Sequence, residues 1–231
     1  MLSSSAREEV EVTDPEAVVV RLSELGAPRN VLLEAVRIGQ LAASFTTKAH
    51  PVWYHGSKAN AETTGSLRVD LASMGWVFND DDNIARAVRP DGGVILTVLS
   101  GNAQTGIKGF KSDPKAQPRR KRGKAGIREV MRNGQIAFVE LLPADDFERT
   151  FADVATWGPT WFLLYYRDGD IVRCELSLAH GVTEEGDLMD WTERLILPVI
   201  DMLDSSSQTG NAEVADSVEI DVPVERLASA G

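Results

Sequence analysis

Residues 161–178 narrow the choice of fold more than any other stretch. Trp161-Phe-Leu-Leu-Tyr-Tyr-Arg167 is almost continuously apolar and aromatic, as expected of a strand covered on both faces. Asp168-Gly169 follows, the dipeptide that a tight primed turn favours. Beyond it the chain alternates. Val172, Cys174, Leu176 and Leu178 fall on one face, and Arg173, Glu175 and Ser177 on the other. A β-hairpin at the centre of a sheet is the reading, with the polar face of its second arm expected to be the solvent side of a two-layer structure.

The elements around it point to an α+β domain. Asp14-Pro15-Glu16 combines an N-cap acceptor, a proline at the first helical position and an acid in the first turn. It opens a helix to about Leu25, stopped by Gly26. After Pro28 a longer helix runs from Asn30 to Phe45 or Thr47, with Val31, Ala35, Ile38, Ala42 and Phe45 at spacings of three and four. The pair is expected to be a helical hairpin. A DNA-reading helix-turn-helix is disfavoured because only Arg37 lies between Arg29 and Lys48.

Residues 49–66 read as an irregular connection and Leu67–Met74 as a short helix. A three-strand meander follows over Trp76–Phe78, Ile84–Val88 and Val94–Leu99. Further on, Ile127–Arg132 suggests a short helix closed by Asn133-Gly134. Gln135–Leu142 suggests a strand and Asp145–Val154 a short acidic helix. Leu188–Leu197 carries apolar residues at helical spacing, or equally contains a late strand over Arg194–Leu197 stopped at Pro198. The expected fold is an N-terminal helical hairpin packed on a mainly antiparallel sheet of about six strands. Residues 1–13 and 205–231 are expected to be flexible tails around a single domain over 14–204.

Composition matters here chiefly through charge. The net charge of −11 is unevenly spread. Lys108–Arg132 holds ten basic residues and two acids, a net of +8, so the rest of the chain carries −19. Within it, residues 108–126 form a loop with two prolines and three glycines, expected to be mobile. Lys115, Arg119, Arg120, Lys121, Arg122 and Lys124 are the candidate nucleic-acid contacts, because cations neutralise phosphates and release counterions. Phe110 is the only aromatic in the segment, so base stacking is not indicated and binding is expected to be backbone-driven, with low sequence specificity.

Just before it, Gly101-Asn-Ala-Gln-Thr-Gly106-Ile-Lys108-Gly109 approaches a phosphate-binding loop. It fails because Ile107 separates the second glycine from Lys108, because glycine stands at the hydroxyl position, and because the sheet is expected to be antiparallel whereas phosphate loops belong to parallel βαβ units. Gly101, Gly106 and Lys108 remain candidate anion-binding residues of a glycine-rich turn.

Other chemistry has thinner support. His50 and His55 lack a third metal ligand nearby. Asp80-Asp81-Asp82 lacks the glycine and distant glutamate of a calcium loop. Asp80, Asp82, Asp91, Glu140 and Glu175 would need to converge for a metal-dependent hydrolase or nuclease, and the strand after Asp91 lacks the acid-x-Lys element. No Gly-x-Ser-x-Gly elbow accompanies the three histidines. No cofactor is expected.

Cys174, the only cysteine, falls on an apolar strand face and suits a reducing cytoplasm. No apolar run is long enough for a membrane span, and the acidic, polar N-terminus does not read as a secretory signal. The leading expectation is a non-enzymatic protein whose basic loop contacts nucleic acid or another polyanion. The alternative is an assembly module whose basic loop docks on an acidic protein partner or a second copy, and a metal-dependent hydrolase comes third.

Overall fold

The computed structural model describes residues 10–109, 118–119, 123–139, 158–183 and 185–203, with the side chains of residues 137–139 and 189 left aside. Along these the chain forms β1 (Val10–Val12), α1 (Pro15–Glu24), α2 (Arg29–Ser44), α3 (Tyr54–Ala72), β2 (Val77–Asn79), β3 (Arg86–Val88), β4 (Ile95–Ser100), α4 (Lys124–Val139), β5 (Thr160–Asp168), β6 (Ile171–Val182), β7 (Leu188–Ile196) and β8 (Ile200–Asp201). The class is α+β. All eight strands belong to one sheet in the order β1-β7-β6-β5-β4-β3-β2, with β8 also pairing β6.

The hairpin stands at the centre of this sheet. β5 and β6 pair antiparallel from Phe162 opposite Ser177 to Asp168 opposite Ile171. The turn residues are Gly169 and Asp170, one place later than the Asp-Gly signal suggests. Gly169 takes φ +61 at the first of the two positions, a value that glycine adopts with no Cβ penalty. The meander also forms, with β2, β3 and β4 antiparallel in succession.

The sheet is mixed, not mainly antiparallel. β4 pairs β5 in parallel from Ile95 opposite Thr160 to Ser100 opposite Tyr165, and β1 pairs β7 in parallel. Parallel neighbours need a crossover connection, usually with a helix in it. Residues 101–159 supply that connection, and α4 lies within it. β1 itself comes from the segment expected to be a tail: Val10, Glu11 and Val12 pair with Glu193, Arg194 and Leu195.

One face of the sheet carries α1, α2 and α3. Val18, Leu22, Leu32, Ala35, Val36, Leu67 and Leu71 pack there against Leu96, Val98, Trp161, Leu163, Cys174, Leu176 and Leu195. Asp14 caps α1 by accepting the Ala17 N–H at 2.8 Å, as its sequence signature implies. The Arg21 guanidinium then donates to both carboxylate oxygens of Glu193, at 2.8 and 2.9 Å, and ties α1 to β7.

The closest helix pair is α2 with α3. α3 covers most of the segment that reads as irregular. Its buried residues, Ala59, Thr63, Leu67 and Leu71, recur every four residues, a stripe too narrow and polar to stand out among Gly56, Gly65 and the exposed residues around it. Gly39 of α2 permits the close approach, since a Cβ there would overlap the Thr63 hydroxyl and the Ala59 carbonyl.

α4 lies on the opposite face, where Val130 packs with Leu99, Phe162, Leu164, Ala179, Leu188 and Trp191. It runs through Asn133-Gly134, the expected stop, and through the first five residues of the expected strand 135–142; the last three lie outside the described residues, as does the expected acidic helix 145–154. Asn133 is bonded to the sheet. Its Nδ2 donates to the carbonyls of Thr160 and Ala179 at 2.9 and 2.8 Å, and its Oδ1 accepts the Thr160 N–H at 2.8 Å. A Cβ at Gly134 would lie 2.8 Å from the His180 carbonyl. The local turn signal is overridden by contacts with β5 and β6.

Candidate polyanion-binding end of the sheet

The basic segment leaves from the carboxyl end of β4. The Gly101 N–H donates to the Tyr165 carbonyl at 2.7 Å, which keeps the chain in register one step past the strand. Pro118 forms an isolated antiparallel bridge with Gly101, and the Arg119 N–H donates to the Ser100 carbonyl at 2.7 Å. Both flanks of residues 102–117 are therefore held at the end of β4. The chain returns at Lys124, the first residue of α4, whose first turn contains no acid. Lys108, Arg119 and Lys124 are exposed. Lys115, Arg120, Lys121 and Arg122 lie outside the described residues.

The glycine-rich turn does meet an anion, and that anion belongs to the protein. The Gly106 N–H donates to Glu175 Oε2 at 2.8 Å, and the Gly109 N–H donates to Glu11 Oε1 at 2.9 Å. The Arg173 guanidinium holds the same turn from below, donating to the Ala103 carbonyl at 2.9 Å. A parallel β4–α4–β5 unit is present, so topology is no objection to a phosphate loop. The spacing still departs from that pattern, and α4 starts well after Gly106.

The polar face of β6 is thus covered and is not a solvent side. Glu175 and Ser177 are fully buried and Arg194 is 2% exposed. Glu175 accepts from the Arg194 guanidinium through both Nε and Nη2, and from the Ser177 hydroxyl at 2.9 Å. Arg194 also reaches Glu11 on β1 at 3.4 Å. A second buried pair joins α4 to the sheet. Arg86 Nη2 donates to Glu129 at 2.9 Å, while Thr160 Oγ1 and Arg132 Nη2 donate to its other oxygen at 2.7 and 2.9 Å. Burial acts to raise the Glu129 pKa, but the hydrogen bonds from Arg86 and Thr160 and the nearby Arg132 charge hold it below the ordinary carboxylate value.

The acids considered for metal chemistry are engaged by arginines. Asp80 pairs with Arg68 at 2.6 Å, Asp82 with Arg128 at 2.8 Å and Asp91 with Arg89 at 2.7 Å. Those guanidiniums hold the Asp80 and Asp91 carboxyls below their usual range. Glu140 is outside the described residues. Among the described residues, no group of three His, Cys, Asp or Glu side chains could hold a metal ion. His50 Nδ1 lies 3.1 Å from the Thr47 hydroxyl and His55 Nδ1 2.8 Å from that of Thr46. Cys174 is buried, and burial followed by the charge of Glu175 pushes its thiol pKa up, away from reactivity.

One feature of this end is not evident from the basic segment. The α2–α3 connection exposes Phe45 to 71%, Val52 to 101% and Trp53 to 59%. The available signal is an acid-free run: no Asp or Glu occurs over residues 35–61 of this acidic chain.

No known protein family, curated protein or solved structure matches this chain. No helix among the described residues is long and apolar enough to cross a membrane.

Proposed function

We propose that the protein is a non-enzymatic binder of nucleic acid or a similar polyanion, acting through the basic segment at the carboxyl end of β4. The observation that carries this reading is electrostatic. The stretch Lys108–Arg132, net +8 on a body of −19, runs into and through the first turns of α4, whose first residue is Lys124 and whose first turn has no acid; of its cations, Arg128 and Arg132 are paired with Asp82 and Glu129. Cations at a helix amino terminus add to the positive end of its dipole. That excess is relieved by an anion from outside, and phosphate oxygens accept both from the bidentate arginine fork and from the lysine ammonium. Arg119 and Lys124 frame Arg120, Lys121 and Arg122, with Lys115 before them, and Lys108 with Gly101 and Gly106 comes earlier still. The buried, single Cys174 is in keeping with a reducing cytoplasm.

The test is binding of labelled nucleic acid across a salt series. Affinity is expected to fall steeply with salt, with a slope of about 0.7 to 0.9 per phosphate contact. Replacing Arg119, Arg120, Lys121, Arg122 and Lys124 with alanine should weaken binding and flatten that slope. Unchanged binding would remove the reading.

The acidity of the rest of the chain favours one other reading, in which the basic segment docks on an acidic partner subunit. Light scattering against concentration, with and without residues 115–124, separates the two, because only docking between copies makes the mass depend on the segment.

A further inference from the structure

We propose that this end of the sheet takes single-stranded nucleic acid, with unpaired bases stacking on Trp53 and Phe45 at the tip of the α2–α3 hairpin. The inference rests on the polyanion reading and names its ligand.

The juxtaposition follows from the course of the helices. α2 starts beside the Arg89–Gly93 turn that precedes β4: Arg89 Nη1 donates to the Glu24 carbonyl at 2.9 Å, just before α2 begins. α3 ends at the same place, where a Cβ on Gly75 would lie 3.4 Å from Pro90. Between these points α2 travels about 24 Å and β4 about 20 Å. On the return, Asn60 Nδ2 donates to the Val98 carbonyl near the carboxyl end of β4, at 3.1 Å. The tip, residues 45–54, therefore lies at the end of the sheet from which Gly101 and Arg119 lead the basic segment away.

The tip has the make-up of a stacking platform. Trp53 meets Tyr54 edge-on, with ring centroids 6.0 Å apart and planes at 79°, and remains 59% exposed. Tyr54 is itself stacked on His50 at 4.9 Å and 6°. Sequence-tolerant binding of single strands uses this combination: aromatic faces for bases and a cationic track for the backbone. Exposed Lys48 and half-buried Lys58 stand at the tip, and exposed Arg119 is held at the neighbouring end of β4, while Lys108 and Lys124 belong to elements on the opposite face of the sheet. A duplex would present its bases already stacked and would leave the aromatic residues without a role. A lipid surface is the poorer fit, because the apolar tip is small and the first turn of α3 past it is polar, with His55, Ser57 and Lys58.

The experiment is fluorescence anisotropy of the full chain with labelled oligo(dT) and with a duplex of equal nucleotide count, each across a salt series. Oligo(dT) is expected to bind more tightly. Trp53→Ala and Phe45→Ala should each weaken that binding about tenfold with the salt slope unchanged, and Trp53→Tyr should retain most of it. If both alanine variants bind oligo(dT) like the unaltered protein while the cation substitutions still flatten the slope, stacking is overturned and the polyanion reading stands. A preference for duplex also overturns the stacking. Absence of binding to either probe at low salt overturns both. Binding of phosphatidylserine vesicles, lost in Trp53→Ala, with no oligo(dT) binding, overturns the nucleic-acid assignment in favour of a membrane contact.

Discussion

Two regions of this protein handle charge in opposite ways. Beneath α4 and the 101–109 turn, charges are buried and internally matched. Glu175 is met by Arg194, Ser177 and the Gly106 amide, and Glu129 by Arg86, Arg132 and Thr160. Lys108, Arg119, Lys124 and the aromatic tip, by contrast, face solvent. Buried charges are costly unless paired and hydrogen-bonded, so the interior arrangement holds the fold together. Exposed charge adds little to stability, so a concentrated excess at one end is better understood through what it meets outside. The contrast separates residues that keep the fold from residues that serve binding.

The largest effect should come from breaking the interior match. Arg194→Leu leaves Glu175 buried without its ion partner and is expected to cost about 3–5 kcal/mol in urea unfolding. The double variant Arg194→Leu/Glu175→Leu should recover much of that loss. If it does not, packing at these positions outweighs the pairing.

Asn133→Ala comes next. It removes three hydrogen bonds between α4 and the sheet and leaves Thr160 and Ala179 backbone groups unmet, for an expected loss of about 2–3 kcal/mol. Measured amide exchange should accelerate in α4 before it does in α2 or α3, since the latter pack on the other face.

Smaller again is a pH effect. The Glu129 carboxyl is held below its ordinary value in the folded protein. Its stabilisation is therefore fully present above the unfolded value and is lost as pH falls through the folded one. Stability measured from neutral pH down should show an acid limb in that window, and Glu129→Gln should flatten it.

The smallest effect on stability is expected at the exposed end. Trp53→Ala, Phe45→Ala, Arg119→Ala and Lys124→Ala should each change unfolding free energy by less than about 0.5 kcal/mol, while weakening polyanion binding. A large destabilisation at Trp53 would merge the two regions and weaken the contrast.

The elements differ in how plainly they could be read beforehand. Strand alternation, the Asp14-Pro15 cap and the meander are local patterns, and they correspond to β6, α1 and β2–β4. α3 was obscured because a single small or apolar residue per turn suffices when the partner helix presents Gly39. α4 was broken in two by Asn133-Gly134, whose side chain and missing Cβ serve the sheet behind them. The polar face of β6 looked solvent-bound because nothing local announces that residues far along the chain will cover Glu175. Of the candidate binding end, the cations were legible and the aromatic tip was not associated with them, since about fifty residues separate Trp53 from Gly101.

By itself, then, the amino-acid sequence determined the strand-forming centre, the first two helices and the unequal distribution of charge, all of which depend on neighbours within a few residues. Only the tertiary structure decided the parallel pairing of β4 with β5, the burial of the Glu175–Arg194 pair and the packing of α3 against α2. Those depend on chain crossings, and a crossing is selected by the global packing of two helical layers on one sheet rather than by any local preference.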